Sequence, residues 1–205
     1  IGAEEAPVWL EGHDAAVNAV AFLPGGRAAS AGDGGAVIIW SLDDATPLHR
    51  LEGHVGKVMA VAASPDGQHL ATAGWDGTVR VWNVATGAEI ARHAPHRGAV
   101  SDVAWSPDGT RLFTAGHDGT VQELRAADGT ILRRIAAHGF GVNRLVVHPG
   151  EAWLAYGALD GGTRVVGLTD DLPMLADLSL GRRPILGLAL SPDAGRLAVG
   201  DGEGY

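Results

Sequence analysis

The residues with most chemistry to offer are nine histidines and a recurring set of aspartates. Histidine binds metals and moves protons near neutral pH, so a cluster of imidazoles would point to a metal centre. Four of them, His13, His54, His96 and His138, fall 41, 42 and 42 residues apart. That even spacing spreads them over successive structural units, too far apart for one ion. The one local cluster, His93-Ala94-Pro95-His96 with His117, is better explained by solvated or structurally hydrogen-bonded imidazoles. Asp66, Asp108 and Asp193 follow Ser64, Ser106 and Ser191 in Ser-Pro-Asp turns. A glycosidase needs two carboxylates within several ångströms of each other. These instead recur once per unit and suit turns in which Asp caps its own backbone. No Gly-x-Ser-x-Gly elbow, phosphate-binding loop or His-Glu-x-x-His motif occurs, so catalysis within these residues is not expected.

Composition narrows the classes further. The net charge is −9, Lys57 is the single lysine and the arginines are scattered. General nucleic-acid binding is therefore disfavoured, because it needs clustered cations against phosphate, and only Arg182-Arg183 forms a local patch. The chain has no cysteine, which removes disulfides, thiolate metal sites, a thiol nucleophile and covalent haem attachment within this segment. No apolar run approaches the length of a membrane span. Ile1-Gly2-Ala3-Glu4-Glu5 is acidic and unlike a signal peptide, and both ends read as cuts in a longer polypeptide.

The elements that position these residues come from a repeat. Three markers recur in phase. A histidine pair appears as Gly12-His13, Gly53-His54, Pro95-His96 and Ala137-His138. Proline turns begin at Pro24, Pro65, Pro107, Pro149 and Pro192, spaced 41, 42, 42 and 43 residues. Asp-Gly turns appear at Asp76, Asp118 and Asp160. A period of about 40–45 residues is that of a four-stranded propeller blade. The second unit reads as short strands over Lys57–Ala62, His69–Ala73, Thr78–Trp82 and Glu89–Arg92, separated by Gly, Pro and Asp signals. The expected fold is all-β, a propeller of four-stranded antiparallel blades, with one domain over 1–205 and repeats at about 10–50, 51–92, 93–134, 135–177 and 178–205.

Gly53-His54 with Val81-Trp82-Asn83 resembles the bracketing signature of the WD40 family, and the resemblance covers nearly the whole chain. It implies a buried network of histidine, strand hydroxyl, turn aspartate and tryptophan. The second repeat supplies all four as His54, Thr72, Asp76 and Trp82, with the imidazole expected to donate both to the carboxylate and to the hydroxyl–indole chain. The first supplies His13, Ser30 and Trp40, with Gly34 at the aspartate position and Asp33 one residue early. The third keeps His96, Thr114 and Asp118, but Leu124 replaces tryptophan. The fourth keeps His138 and Asp160, with Tyr156 and Val166 near the other two positions and Gly161-Gly162 read as a one-residue insertion. The fifth ends at Gly202-Glu203-Gly204-Tyr205, before its third strand is complete. Rings of this family usually have seven or eight blades, so the remaining blades are expected from the rest of the chain or from self-association.

The same resemblance implies a non-catalytic scaffold that binds protein partners on one face. There the matching positions are Asp33, Trp75, His117 and Leu159, with Lys57, Gly98 and Phe140 nearby. Three stretches, His138–Leu145, Leu154–Val165 and Arg182–Ile185 through Gly200–Tyr205, resemble the propeller half of bacterial WD40–cytochrome c fusion proteins. That implies periplasmic redox docking, with haem c held by a domain not present here. The alternatives are a propeller attached to a hydrolase or peptidase, and an intracellular assembly or signalling scaffold.

Overall fold

The computed structural model describes residues 7–179 and 183–202. Every regular element among them is a β-strand, as short β-branched and alanine-rich runs between turn residues dictate. Blade 1 comprises β1 (Val17–Leu23), β2 (Arg27–Gly32), β3 (Val37–Ser41) and β4 (Thr46–Leu51). Blade 2 comprises β5 (Val58–Ala63), β6 (His69–Gly74), β7 (Val79–Asn83) and β8 (Glu89–His93). Blade 3 comprises β9 (Val100–Trp105), β10 (Arg111–Gly116), β11 (Thr120–Arg125) and β12 (Ile131–Ala137). Blade 4 comprises β13 (Val142–Val147), β14 (Trp153–Ala158), β15 (Gly162–Gly167) and β16 (Met174–Ser179). A two-stranded sheet, β17 (Ile185–Leu190) and β18 (Leu197–Asp201), follows them. Each complete sheet is an antiparallel meander in chain order. The sheets span 17–51, 58–93, 100–137, 142–179 and 185–201 and form an open arc rather than a closed ring. The expected break at the end of the fifth repeat, residues 203–205, lies outside the described residues, as do Ile1–Glu5 and Arg182.

The core lies between blades, not within them. Each innermost strand begins at one register position, occupied by Val58, Val100, Val142 and Ile185, and all four are fully buried against the preceding blade. Val17 holds the same position in blade 1 and is 49 % exposed, as are Val20 at 72 % and Phe22 at 83 %. Nothing among the described residues packs there.

A bulge follows that first residue in every innermost strand. It frees one residue from the ladder, and in three blades its side chain ties the next blade. Asn18 Nδ2 donates to the Val58 carbonyl at 3.1 Å, Ser101 Oγ to Val142 at 2.5 Å and Asn143 Nδ2 to Ile185 at 2.7 Å. Met59 holds this place in blade 2 and has no donor to offer. Asp102, just past the bulge, accepts from the Leu145 amide of blade 4 at 2.9 Å. Packing around its carboxyl pushes its pKa up to about 6 against the backbone N–H donors and Arg144.

Candidate functional site

The turns between second and third strands build one face of the arc, and the histidine networks hold those turns in place. In blade 2 the Trp82 indole N–H donates to Thr72 Oγ1 at 3.0 Å, and Thr72 lies 2.8 Å from His54 Nε2. His54 Nδ1 lies 3.0 Å from Asp76. Burial drives the His54 pKa down despite the pull of Asp76. A neutral imidazole has one N–H. With that proton on Nδ1 for the carboxylate, Nε2 accepts from the threonine hydroxyl. The chain therefore runs from indole to hydroxyl to imidazole to carboxylate, the reverse of the expected direction between imidazole and hydroxyl. One donor cannot serve both neighbours.

Asp76 also receives the amides of Val55 and Thr78 and the Thr78 hydroxyl. Burial pushes its carboxyl up, but these donors and His54 outweigh it and hold the pKa at about 2. The carboxylate thus stitches the start of the repeat to its second turn. Blade 3 repeats the scheme. His96 reaches Asp118 at 3.0 Å and Thr114 at 2.8 Å, and Asp118 takes the amides of Arg97 and Thr120. Leu124 fills the tryptophan position and is fully buried, so Thr114 receives no indole donor. In blade 1 His13 and Trp40 each lie 2.7 Å from Ser30 Oγ, and the carboxylate is missing.

The fourth repeat departs from expectation. His138 Nδ1 and Asp160 are 3.7 Å apart, beyond a hydrogen bond. The cause lies one strand-end away. Gly116 in blade 3 sits where an added Cβ would lie 2.8 Å from Asp118 Oδ1, and Gly74 in blade 2 is equally confined by Asp76. Blade 4 carries Ala158 at this position, and its methyl group requires the pair to open. Tyr156 packs its ring edge-on to His138 at 6.4 Å instead of offering a short hydroxyl. Gly161-Gly162 is not an insertion. Tyr156 pairs with Arg164 as Thr72 pairs with Arg80, and the Gly162 amide caps Asp160 at 3.1 Å as the Thr78 amide caps Asp76. Gly162 simply replaces the threonine.

The face itself carries a connected row. Asp33, Trp75, His117 and Leu159 occupy one structural position, each donating its amide at 2.9 Å to the innermost strand's approach, at Ala16, Lys57, Ala99 and Gly141. Lys57 Nζ lies 2.8 Å from Asp33 and 5.4 Å above the Trp75 ring, and Trp75 meets His117 edge-on at 6.3 Å. Hydrogen bonds from Lys57 and then Asn18 lower the Asp33 pKa, so it stays a carboxylate. Trp75 remains 50 % exposed and Phe140 59 %. Gly98 is exposed, with open space around a would-be side chain, while Leu159 is partly buried beside Gly141.

The histidines that cluster in sequence diverge in space. His93 bonds the Ala126 carbonyl, His96 the network, and His117 faces Trp75. Asp66, Asp108 and Asp193 each accept from their turn serine at 2.5 Å and from a backbone amide two residues on, which is turn geometry.

Sequence reasoning missed two features. Glu123 is buried in blade 3 and pairs with Arg111 at 2.8 Å and Arg133 at 2.5 Å, and Arg111 continues to Glu151 of blade 4. In the first three repeats the carbonyl before the network histidine is also tied by a long side chain, Arg50 to Gly12, Arg80 to Gly53 and Gln122 to Pro95. A charged residue breaking the apolar alternation of a third strand was the available signal for Glu123. The ties had none, since their positions carry different residue types.

The family model described as WD domain, G-beta repeat matches residues 7–41, 45–83 and 87–122, more than half of the chain.

Proposed function

The chain belongs to the WD40 repeat family, and from that premise we propose that it holds protein partners on the face carrying Asp33, Lys57, Trp75, Gly98, His117, Phe140 and Leu159. Repeats of this family are typically non-catalytic interaction scaffolds. The observation that carries the choice of face is Trp75. A tryptophan half open to solvent, yet held between a lysine ammonium and an imidazole, loses little side-chain freedom on contact. Such rigid, exposed aromatics are where interface energy concentrates. The test is affinity capture from the native source, comparing the natural protein with Trp75→Ala and with Asp108→Ala at the opposite end of the blade. Loss of a partner with the first variant alone supports the reading. Retention of every partner by Trp75→Ala overturns it.

The exposed Val17, Val20 and Phe22 favour a further blade packed on blade 1, supplied by the rest of the polypeptide or by a second copy. The resemblance of its fourth and fifth repeats to WD40–cytochrome c fusions further supports a periplasmic role docking redox partners. The present residues do not fit covalent haem, because the chain has no cysteine. The haem would belong to another domain. The intact mass in the native source tests this. A species far above 21.0 kDa with a haem-sized adduct supports it, and a mass equal to this segment sinks it.

A further inference from the structure

In the first three blades one register position of the outer strand carries an arginine. Arg50 of β4 pairs with Ile38, Arg92 of β8 with Arg80 and Arg134 of β12 with Gln122. In blade 1 Ile38 offers no donor, so Arg50 takes the Gly12 carbonyl at 2.9 Å and lies 3.1 Å from the Asp14 carboxylate. In blades 2 and 3 the equivalent carbonyls are already taken, Gly53 by Arg80 and Pro95 by Gln122. Arg92 and Arg134 are thereby released, and both are exposed.

The second member of each place is the residue after the network histidine, which is Asp14 in blade 1, Val55 in blade 2 and Arg97 in blade 3. Blade 1 therefore closes an ion pair where blade 3 brings two arginines together. Burial and then the Arg134 charge hold His96, the neighbour of Arg97, below its ordinary pKa, just as burial and Arg50 do for His13. Among the described residues neither Arg97 nor Arg134 meets a carboxylate, whereas Arg50, Arg80, Arg111, Arg125, Arg133 and Arg164 each do. Asp118 takes the Arg97 amide, but its carboxylate is committed to His96 and Thr120. Two like charges at one place, in a chain of net charge −9, favour an anion supplied from outside. The Trp75 turn abuts this place, since a Cβ on Gly77 would lie 3.1 Å from the Gly98 carbonyl.

We propose that Arg97 and Arg134 together bind a carboxylate side chain of the protein partner that docks beside Trp75. The occupant is a carboxylate because a single aspartate, Asp14, fills the equivalent place in blade 1. A planar carboxylate also offers two oxygens, one for each guanidinium fork. Both arginines are open to solvent, so the contact steers and selects an acidic partner and weakens with salt. The proposal rests on the reading of this face as a protein-binding surface. It adds that the partner presents an acidic residue close to the segment that meets the tryptophan.

The test is a titration of the ¹⁵N-labelled protein with acetyl-tetraglutamate amide at low salt, followed through the arginine Nε–Hε signals. Saturable shifts of Arg97 and Arg134 are expected, with Arg92 moving less because Val55 stands where a second cation would be. Arg134→Gln should weaken binding roughly five-fold, the worth of one exposed ion pair. Arg97→Asp, which copies Asp14, should abolish it. Trp75→Ala should leave it intact, because tetraglutamate has no ring or aliphatic anchor for the tryptophan. Failure of this titration and failure of the capture assay are therefore distinct results. No saturable shift, equal shifts at Arg92, or unchanged binding by Arg97→Asp overturns the proposal. Loss in Trp75→Ala also overturns it, as does tighter binding of inorganic phosphate, which assigns the pair to a phosphoryl group.

Discussion

Thr72→Val and Thr114→Val make a matched pair that tests the direction of the buried network. Both threonines are fully buried and at equivalent positions, and valine preserves their shape. Thr72 accepts from the Trp82 indole and donates to His54, so removing its hydroxyl strands two groups. Thr114 donates to His96 with no indole behind it, so the same change strands one. A buried unsatisfied group costs about 1–3 kcal/mol. The expected losses are then about 3–4 kcal/mol for Thr72→Val and about 1–2 kcal/mol for Thr114→Val. In a chain of this length, roughly 2–4 °C of Tm accompanies each kcal/mol. Repeat proteins open locally, so amide exchange in β6 and β10 should accompany the melt. In a Trp82→Phe background the Thr72→Val cost should shrink to that of Thr114→Val. Equal losses in the natural background, or no change on removing the indole, would refute the assigned chain of donors.

The same network sets the acid limit. Asp76 and Asp118 have folded pKa values near 2, below their ordinary 3.8, so their contribution is present above pH 4 and lost as pH falls toward 2. His54 and His96 are depressed by burial, so the unfolded chain binds more protons below pH 6.5 and stability falls there too; a denaturation series from pH 8 to 3 should show this slope flatten in His54→Phe. Asp102 acts with opposite sign. Its folded pKa is raised to about 6, so neutral pH leaves a buried charge that costs up to about 3 kcal/mol, relieved as pH falls from 6 to 4. Asp102→Asn should therefore raise the denaturation midpoint at pH 7.5 and remove that relief. Glu123→Leu should destabilise by about 1.5–3 kcal/mol in urea melts, since it leaves the partly exposed Arg133 without its carboxylate while Arg111 keeps Glu151. Gly116→Ala should weaken blade 3 by about 1–3 kcal/mol and move His96 from Asp118, visible in the imidazole ¹⁵N shifts.

The networks were legible to different degrees, for physical reasons. His54, Thr72, Asp76 and Trp82 meet because a period near 42 residues and one set of turns return each to the same place. The first and third repeats keep the spacing and lose single members, and the contacts that remain form. The fourth keeps its histidine and aspartate at the same spacing and still fails to join them. What decides that is the Cβ of Ala158, a contact between residues whose spacing gives no sign of conflict.

The order of short runs and turns, with the repeat period, was enough to determine the fold class and the four strands of the second repeat. Those are local properties: turn residues end a strand wherever they occur, and alternation sets which face is apolar. Which side chains cross from blade to blade depended on tertiary structure alone. Asn18, Ser101 and Asn143 become ties only because a bulge turns them outward, and Glu123 becomes a buried hub only where Arg111 and Arg133 converge on it. His49, Ala91 and Arg133 look unrelated along the chain, yet share one place above a neighbouring turn. His49 reaches Ala85 and Arg133 reaches Leu168 from that place, whereas past the short Ala91 the crossing to Ala126 is made by His93, a difference that exists only once adjacent blades are packed.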